Sequence, residues 1–117
     1  ICLPEGTIDE DSGRLGWDAF AYVGHYISVI NDHNTKHYTF IMHEIGHNLN
    51  LYHSGEEMLD RNNARHYIRY HDQSGTMGFS YAQIDGPRMC FNAPKTSELG
   101  WFDDETKNLV LANSNQW

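Results

Sequence analysis

The sequence predicts a small α+β domain, strand structure beside one well-defined helix. Three observations predict it: a Tyr-, Val- and Ile-rich stretch from Phe20 to Ile30, a helical apolar period from Thr35 to Leu49, and a second half without any regular period. With 117 residues and no internal repeat, the chain fits a single domain over 1–117. Within it, 17–50 would hold the strand and helix, and 51–117 an irregular second subdomain.

Residues 1–16 carry Pro4, Gly6, Asp9, Glu10, Asp11, Gly13 and Gly16 and read as loop. Phe20–Ile30 contains Gly24, so it reads either as one strand or as two short strands hinged there. Asn31–Asn34 is a polar turn offering helix caps. At about 100° per residue, Tyr38, Ile41, Met42, Ile45 and Leu49 fall on one arc, and His43 and His47 fall about 40° apart on the other side. This predicts a core face and a separate His face. Residues 52–73 show no clean period and read as loop, and Ser74–Gly78 reads as a tight turn. Asn92–Leu99 reads as a short helix capped by Asn92 and stopped by Gly100. Asn108–Ala112 offers a short strand.

Lys+Arg 8 against Asp+Glu 16 gives a net charge of −8, which argues against nucleic acid and anionic membrane surfaces. No stretch is long and apolar enough for a membrane span. No signal peptide is visible, and the start at Ile1 rather than Met reads as a mature product or a fragment of a longer gene. Cys2 and Cys90 match no zinc spacing; they are either one disulfide closing a long loop or two unrelated buried thiols. The unusual feature is eight His, because neutral imidazole is a common metal ligand.

His43-Glu44-Ile45-Gly46-His47 is an HExxH pattern. Residues four apart on a helix lie one turn above each other, so both imidazoles can reach one ion. Glu44 would flank them, where a carboxylate can take a proton from water and deliver it to a leaving amine. The plain alternative is a surface helix carrying two solvated His. Against it stands His53, six residues after His47. To bring His53 back to the ion, the chain must leave the helix through a residue tolerant of positive φ, and Asn50 stands there. Three His leave a fourth position open to water, the arrangement of catalytic rather than structural zinc.

HEIGHNLNLYH resembles the extended motif of the metzincin metalloproteases, with Asn50 in place of the usual Gly and Ser54 after the third His. The resemblance extends to a Met-turn at Ser74-Gly75-Thr76-Met77-Gly78, 24 residues after His53. There Met77 would support the His ligands from below without binding metal. The runs His53-Ser54-Gly55, Tyr70–Gly78, Asn92–Lys95 and Leu99-Gly100-Trp101 are similar to gametolysin-like peptidases, over roughly residues 17–102. His71 stands where that family often has Gly. Some metzincins carry a Tyr two residues after the Met; here that position is Phe79, and Tyr81 reads as core or pocket wall.

The resemblance implies a secreted zinc endopeptidase acting on extracellular or cell-wall proteins. His43, His47 and His53 would hold Zn²⁺, and Glu44 would be general base and then general acid. The peptide substrate would lie extended along a strand edge near 20–30, and residues 79–92 would set side-chain preference. Only about 40 residues precede His43, so the resemblance also implies that the N-terminal part of such a domain is lacking. The reading from a different class is a non-catalytic zinc-binding relative acting as a binding module.

Other candidates read as background. His25, His33, His37 and His66 fit no ligand spacing with the motif, His71 near the Met-turn reads as a loop residue rather than a ligand, and Glu56 and Glu57 read as solvated loop charges. Asp103 and Asp104 fall short of a calcium cage. Asp72 is either a brace for the Met-turn or simply exposed.

Overall fold

The computed structural model describes residues 1–4, 6–8, 10–11, 13, 18–78 and 89–105. The candidate strand at Asn108–Ala112, Phe79, Tyr81 and most of the pocket wall at 79–92 lie outside the described residues. Among the described residues no helix is long and apolar enough to cross a membrane.

The stretch containing Gly24 forms two short strands, β2 (Ala19–Ala21) and β3 (Ser28–Asn31), paired antiparallel with Phe20 opposite Val29. A further strand, β1 (Cys2–Leu3), falls within the expected N-terminal loop and pairs parallel to β3, giving a mixed sheet in the order β1-β3-β2. Among the described residues β2 is therefore an edge. Gly24 has φ +71°, and its N–H donates to the carbonyl of His47 at 2.8 Å. Asn48 Nδ2 donates to the Ile27 carbonyl at 3.1 Å. These two bonds fasten the β2–β3 turn to the end of the following helix.

Asp32–Asn34 forms a 3₁₀ turn, with the Asn31 side chain accepting from the His33 N–H. Thr35 and His37 donate to Asp32 and Asn34 respectively, so the α-helix starts later than its period suggests: α1 spans Tyr38–Asn48. Its burial corrects the predicted faces. Tyr38, Ile45 and Leu49 are each about 40% exposed, while Thr39, Phe40, His43, Glu44, Gly46 and His47 are buried. The imidazole side is the packed side. The chain closes on it because Gly46 lets it approach: a Cβ there would overlap Met77 Sδ and lie 2.8 Å from Phe91 Cε1. Met42 alone of the predicted apolar arc packs on the core cluster of Leu51, Met77 and Phe91, which Leu99 also joins.

Residues 52–73 are not simply loop. They contain an antiparallel hairpin of β4 (Glu56–Leu59) and β5 (Arg65–Ile68). Its turn is tied by Asp60 Oδ1, which accepts from the N–H groups of Asn62 and Ala64 at 2.8 and 2.9 Å. Both strands are exposed along their length, so neither face imposes the alternation that marks a strand in sequence. Glu57 pairs with Arg65, and Glu56 with His71. α2 (Ala93–Glu98) follows the expectation: Asn92 caps it by accepting from Lys95 N–H, and Gly100 ends it at φ +69°. Cys2 and Cys90 are both free and both exposed, neither bridged nor buried.

The closeness of α1 to Met77 yields a test. Gly46→Ala gains about 1 kcal/mol of helix propensity. It also forces a buried methionine and a phenylalanine to shift, which typically costs about 1–3 kcal/mol. Urea unfolding is expected to show a net loss of stability; a variant as stable as the parent would contradict the packing described.

Candidate metal centre

His43 and His47 project from α1, one turn apart, into the space under β2. His53 arrives from the loop that follows the helix. That loop is made by a helix ending with a specific bond pattern: Leu51 N–H donates to Gly46 O and Asn50 N–H to His47 O, both at 2.9 Å. This is the paired closure in which the residue past the helix end sits left-handed. Asn50 has φ +71°, as the spacing from His47 to His53 requires. Leu51, 1% exposed, anchors the reversal in the core.

The three side chains converge. Each offers a ring nitrogen, and these all lie within 4.8 Å of one another. Among the described residues this is the one such group of three or more potential ligands. Asp103 and Asp104 join none, and His25, His33, His37, His66 and His71 lie outside it. His71 bonds Glu56 instead, at 2.9 Å, and His66 bonds Asp60.

Backbone carbonyls orient two of the rings. His43 Nδ1–H donates to Thr76 O at 2.6 Å, and His47 Nδ1–H donates to Leu51 O at 2.8 Å. A carbonyl can only accept, so both Nε2 atoms present lone pairs to the centre. The Thr76 carbonyl is available because the turn at Ser74–Gly78 is fixed on several sides. Ser54 N–H donates to Met77 O at 2.8 Å, and Thr76 N–H to Cys90 O at 3.1 Å. Asp72 braces the turn: its Oδ1 accepts from Ser74 N–H at 2.8 Å and its Oδ2 from Asn92 Nδ2 at 2.6 Å. Met77 itself is fully buried.

Burial pushes the His43 imidazolium pKa down, the Thr76 bond opposes this, and His47 adds to the lowering. His53 is pushed down to about 3, first by burial and then by the neighbouring His43, His47, Arg69 and Lys95. At neutral pH both rings are thus neutral, the form that binds metal. Glu44 is 5% exposed, its Oε2 is buried without a hydrogen-bond partner among the described residues, and burial raises its carboxyl to about 7. A nitrogen-rich cluster beside an unsatisfied carboxylate oxygen fits a divalent cation carrying water.

A cavity of about 250 Å³ opens over the cluster. Ala19–Ala21 and Val23 line one side of it, the imidazoles and Glu44 its floor, and Arg69 and Tyr70 its far wall. Sequence reading assigned no role to Arg69 or Tyr70, because only the unforeseen hairpin brings them back to the site. The Tyr70 ring lies 4.2 Å from that of His53, centroid to centroid. Arg69 Nε–H donates to His53 Nδ1 at 2.6 Å. Since a guanidinium only donates, His53 Nδ1 accepts, and His53 Nε2–H points to His47 Nε2 at 3.0 Å. A cation held by all three Nε2 atoms requires His53 to carry its proton on Nδ1 and Arg69 to release that ring. Arg69→Met is therefore expected to tighten metal binding by up to about tenfold, measured by competition with a chromophoric chelator. Weaker binding would show that Arg69 supports the ring instead.

Residues 10–115 match the family described as Gametolysin peptidase M11. No curated protein and no solved structure matches the chain. The match spans most of the sequence and includes the HExxH motif with its converging third His, so the chain belongs to the gametolysin M11 family of metalloendopeptidases.

Proposed function

We propose that the protein is a zinc-dependent endopeptidase that cleaves extracellular or cell-wall proteins, the whole of 1–117 being catalytic domain. One observation carries this reading: three imidazoles and a buried carboxylate with one oxygen unpartnered among the described residues face a single cavity beside an edge strand. His43, His47 and His53 would hold the zinc, with Met77 packed beneath the helix that bears two of them. When bound, the ion supplies Lewis acidity toward the scissile carbonyl and lowers the pKa of its water to about 7.

The remaining chemistry belongs to the chain. Glu44 takes a proton from the attacking water and then passes it to the departing amine. Burial keeps this carboxylate short of hydrogen bonds, which makes it a stronger base than an exposed Glu. The free edge of β2 offers backbone N–H and C=O groups to an extended peptide, which then crosses the cavity over the imidazoles. Secretion accords with the family.

Hydrolysis of a mixed peptide pool, with and without a zinc chelator, tests the reading. The parent should cleave in a chelator-sensitive way. Glu44→Gln should lose at least about a hundredfold in kcat, the scale of general-base contributions, while still binding one zinc. No cleavage by a folded, zinc-loaded parent would sink the catalytic reading and leave a zinc-binding module.

Glu44 also gives the chelated protein a pH signature. Its pKa is near 4.5 unfolded and about 7 folded. Below pH 4.5 it is protonated in both states and costs nothing; as pH rises toward 7 only the unfolded chain gains by ionising, so stability falls. Glu44→Gln removes that penalty. In urea titrations of chelated protein, the variant's advantage should grow from near zero at about pH 4 to about 3 kcal/mol at about pH 8. A pH-independent difference would contradict the buried-carboxylate account.

A further inference from the structure

Arg69 follows β5 directly, and the hairpin brings it to the wall of the cavity over the imidazoles. Among the described residues of that lining it is the one permanent cation. Two contacts hold it there. Its Nε–H donates to His53 Nδ1 at 2.6 Å, and its guanidinium carbon lies 5.7 Å from the centre of the Tyr70 ring. Tyr70 in turn lies 4.2 Å from the His53 ring, so imidazole, phenol and guanidinium form one continuous group.

The bond to His53 is one that a loaded centre cannot keep. When His53 Nε2 faces a cation, the ring proton sits on Nδ1, and two donors then oppose each other. Arg69 loses its acceptor there, while the contact with Tyr70 still holds the guanidinium at the wall. The released N–H groups border the space that the substrate peptide fills. Glu44 is the other charge in this lining, and among the described residues no ion pair joins it to Arg69.

We propose that Arg69 selects an acidic substrate side chain, Glu or Asp, close to the cut, and that loading the metal centre frees it to do so. The inference deepens the peptidase reading and rests on it. Chemistry selects the occupant. A guanidinium leaving a neutral nitrogen gains most from a carboxylate, which accepts two parallel N–H bonds. A Gln side chain offers one neutral acceptor, and norleucine offers none. Arg69 touches the His53 ring itself, so the side chain it takes belongs to a residue within two of the cut. The net charge of −8 repels acidic peptides at long range, so a preference for acid is local to Arg69 and is lost with it. Acid and metal are also linked. A carboxylate that takes Arg69 away from His53 favours the metal-binding ring, so each ligand tightens the other by the same factor.

Arg69 is exposed, which limits the effect to about fivefold, the upper end for exposed ion pairs. The test uses internally quenched peptides carrying Glu, Asp, Gln or norleucine at one position at a time. With the zinc-loaded parent, a position within two residues of the cut should favour Glu or Asp over Gln by about fivefold in kcat/KM. In Arg69→Met, Glu should fall to or below Gln. A thermal melt checks the fold of this variant, and Arg69→Gln, which keeps a polar head, carries the same expectation. A second readout needs no turnover. Anisotropy follows a labelled Glu peptide and its Gln twin on the Glu44→Gln protein, zinc-loaded and chelated. The Glu peptide should bind about fivefold tighter with zinc and about equally without it.

Four results overturn the inference. No position within two residues of the cut prefers acid. Arg69→Met weakens Glu and Gln peptides alike, as a contact to a backbone carbonyl would. The preference survives Arg69→Met, as it would if the carboxylate went to the metal. Chelation leaves the preference unchanged. Absence of chelator-sensitive cleavage of every peptide is a different result and overturns the peptidase reading itself. The anisotropy pair, repeated on Arg69→Met, then still decides whether Arg69 takes the acid.

Discussion

The centre depends on the contact between Gly46 and Met77. A helix carrying two imidazoles that converge with a third must present them on one side and be held firmly from another. Glycine between the two histidines removes the side chain that would keep the Ser74–Gly78 turn at a distance. Met77 then lies against the helix, and the preceding carbonyl, that of Thr76, reaches His43 Nδ1. One close approach therefore does two jobs. It supplies part of the small core with Leu51 and Phe91, and it chooses the tautomer of a ring whose other nitrogen faces the centre. The second ring is set in the same way by Leu51, whose side chain is core and whose carbonyl is acceptor.

The third ring is held differently. His53 lies on a loop, and its Nδ1 meets a cation instead of a carbonyl, with an aromatic ring alongside. The centre thus combines two rings preset by backbone with one governed by side chains. Side chains can exchange partners at little cost, whereas a carbonyl fixed in a turn cannot. Adjustment at the centre falls to the His53–Arg69–Tyr70 group.

What was legible in the sequence was whatever rests on local spacing. The interval of four between His43 and His47, the left-handed requirement at Asn50, the Asn92 cap and the Gly100 stop all act within a turn or two of themselves. What was not legible depends on partners distant in sequence. The arc of Tyr38, Ile45 and Leu49 is correctly periodic, yet periodicity reveals only that a helix has two sides. Which side is covered was decided by Met77 and Phe91, more than thirty residues downstream. The β4–β5 hairpin was missed because strands with neither face buried carry no alternation to read. Arg69 and Tyr70 were missed with it.

The carbonyl of His47 accepts from both Gly24 N–H, in the β2–β3 turn, and Asn50 N–H, at the helix end. Asn50 Oδ1 also stands 3.1 Å from where a Cβ on Gly24 would be. Turn and helix end are thus interlocked, and the length of the 22–27 connection has no freedom to drift. Among the described residues the Asp60–Asn63 tip has no such tie to the rest of the fold, since its bonds stay within its own hairpin. Over evolutionary time, insertions and deletions should collect at the tip near 60–63 and be purged from 22–27, and a tag or reporter domain grafted at the first location would leave the centre undisturbed.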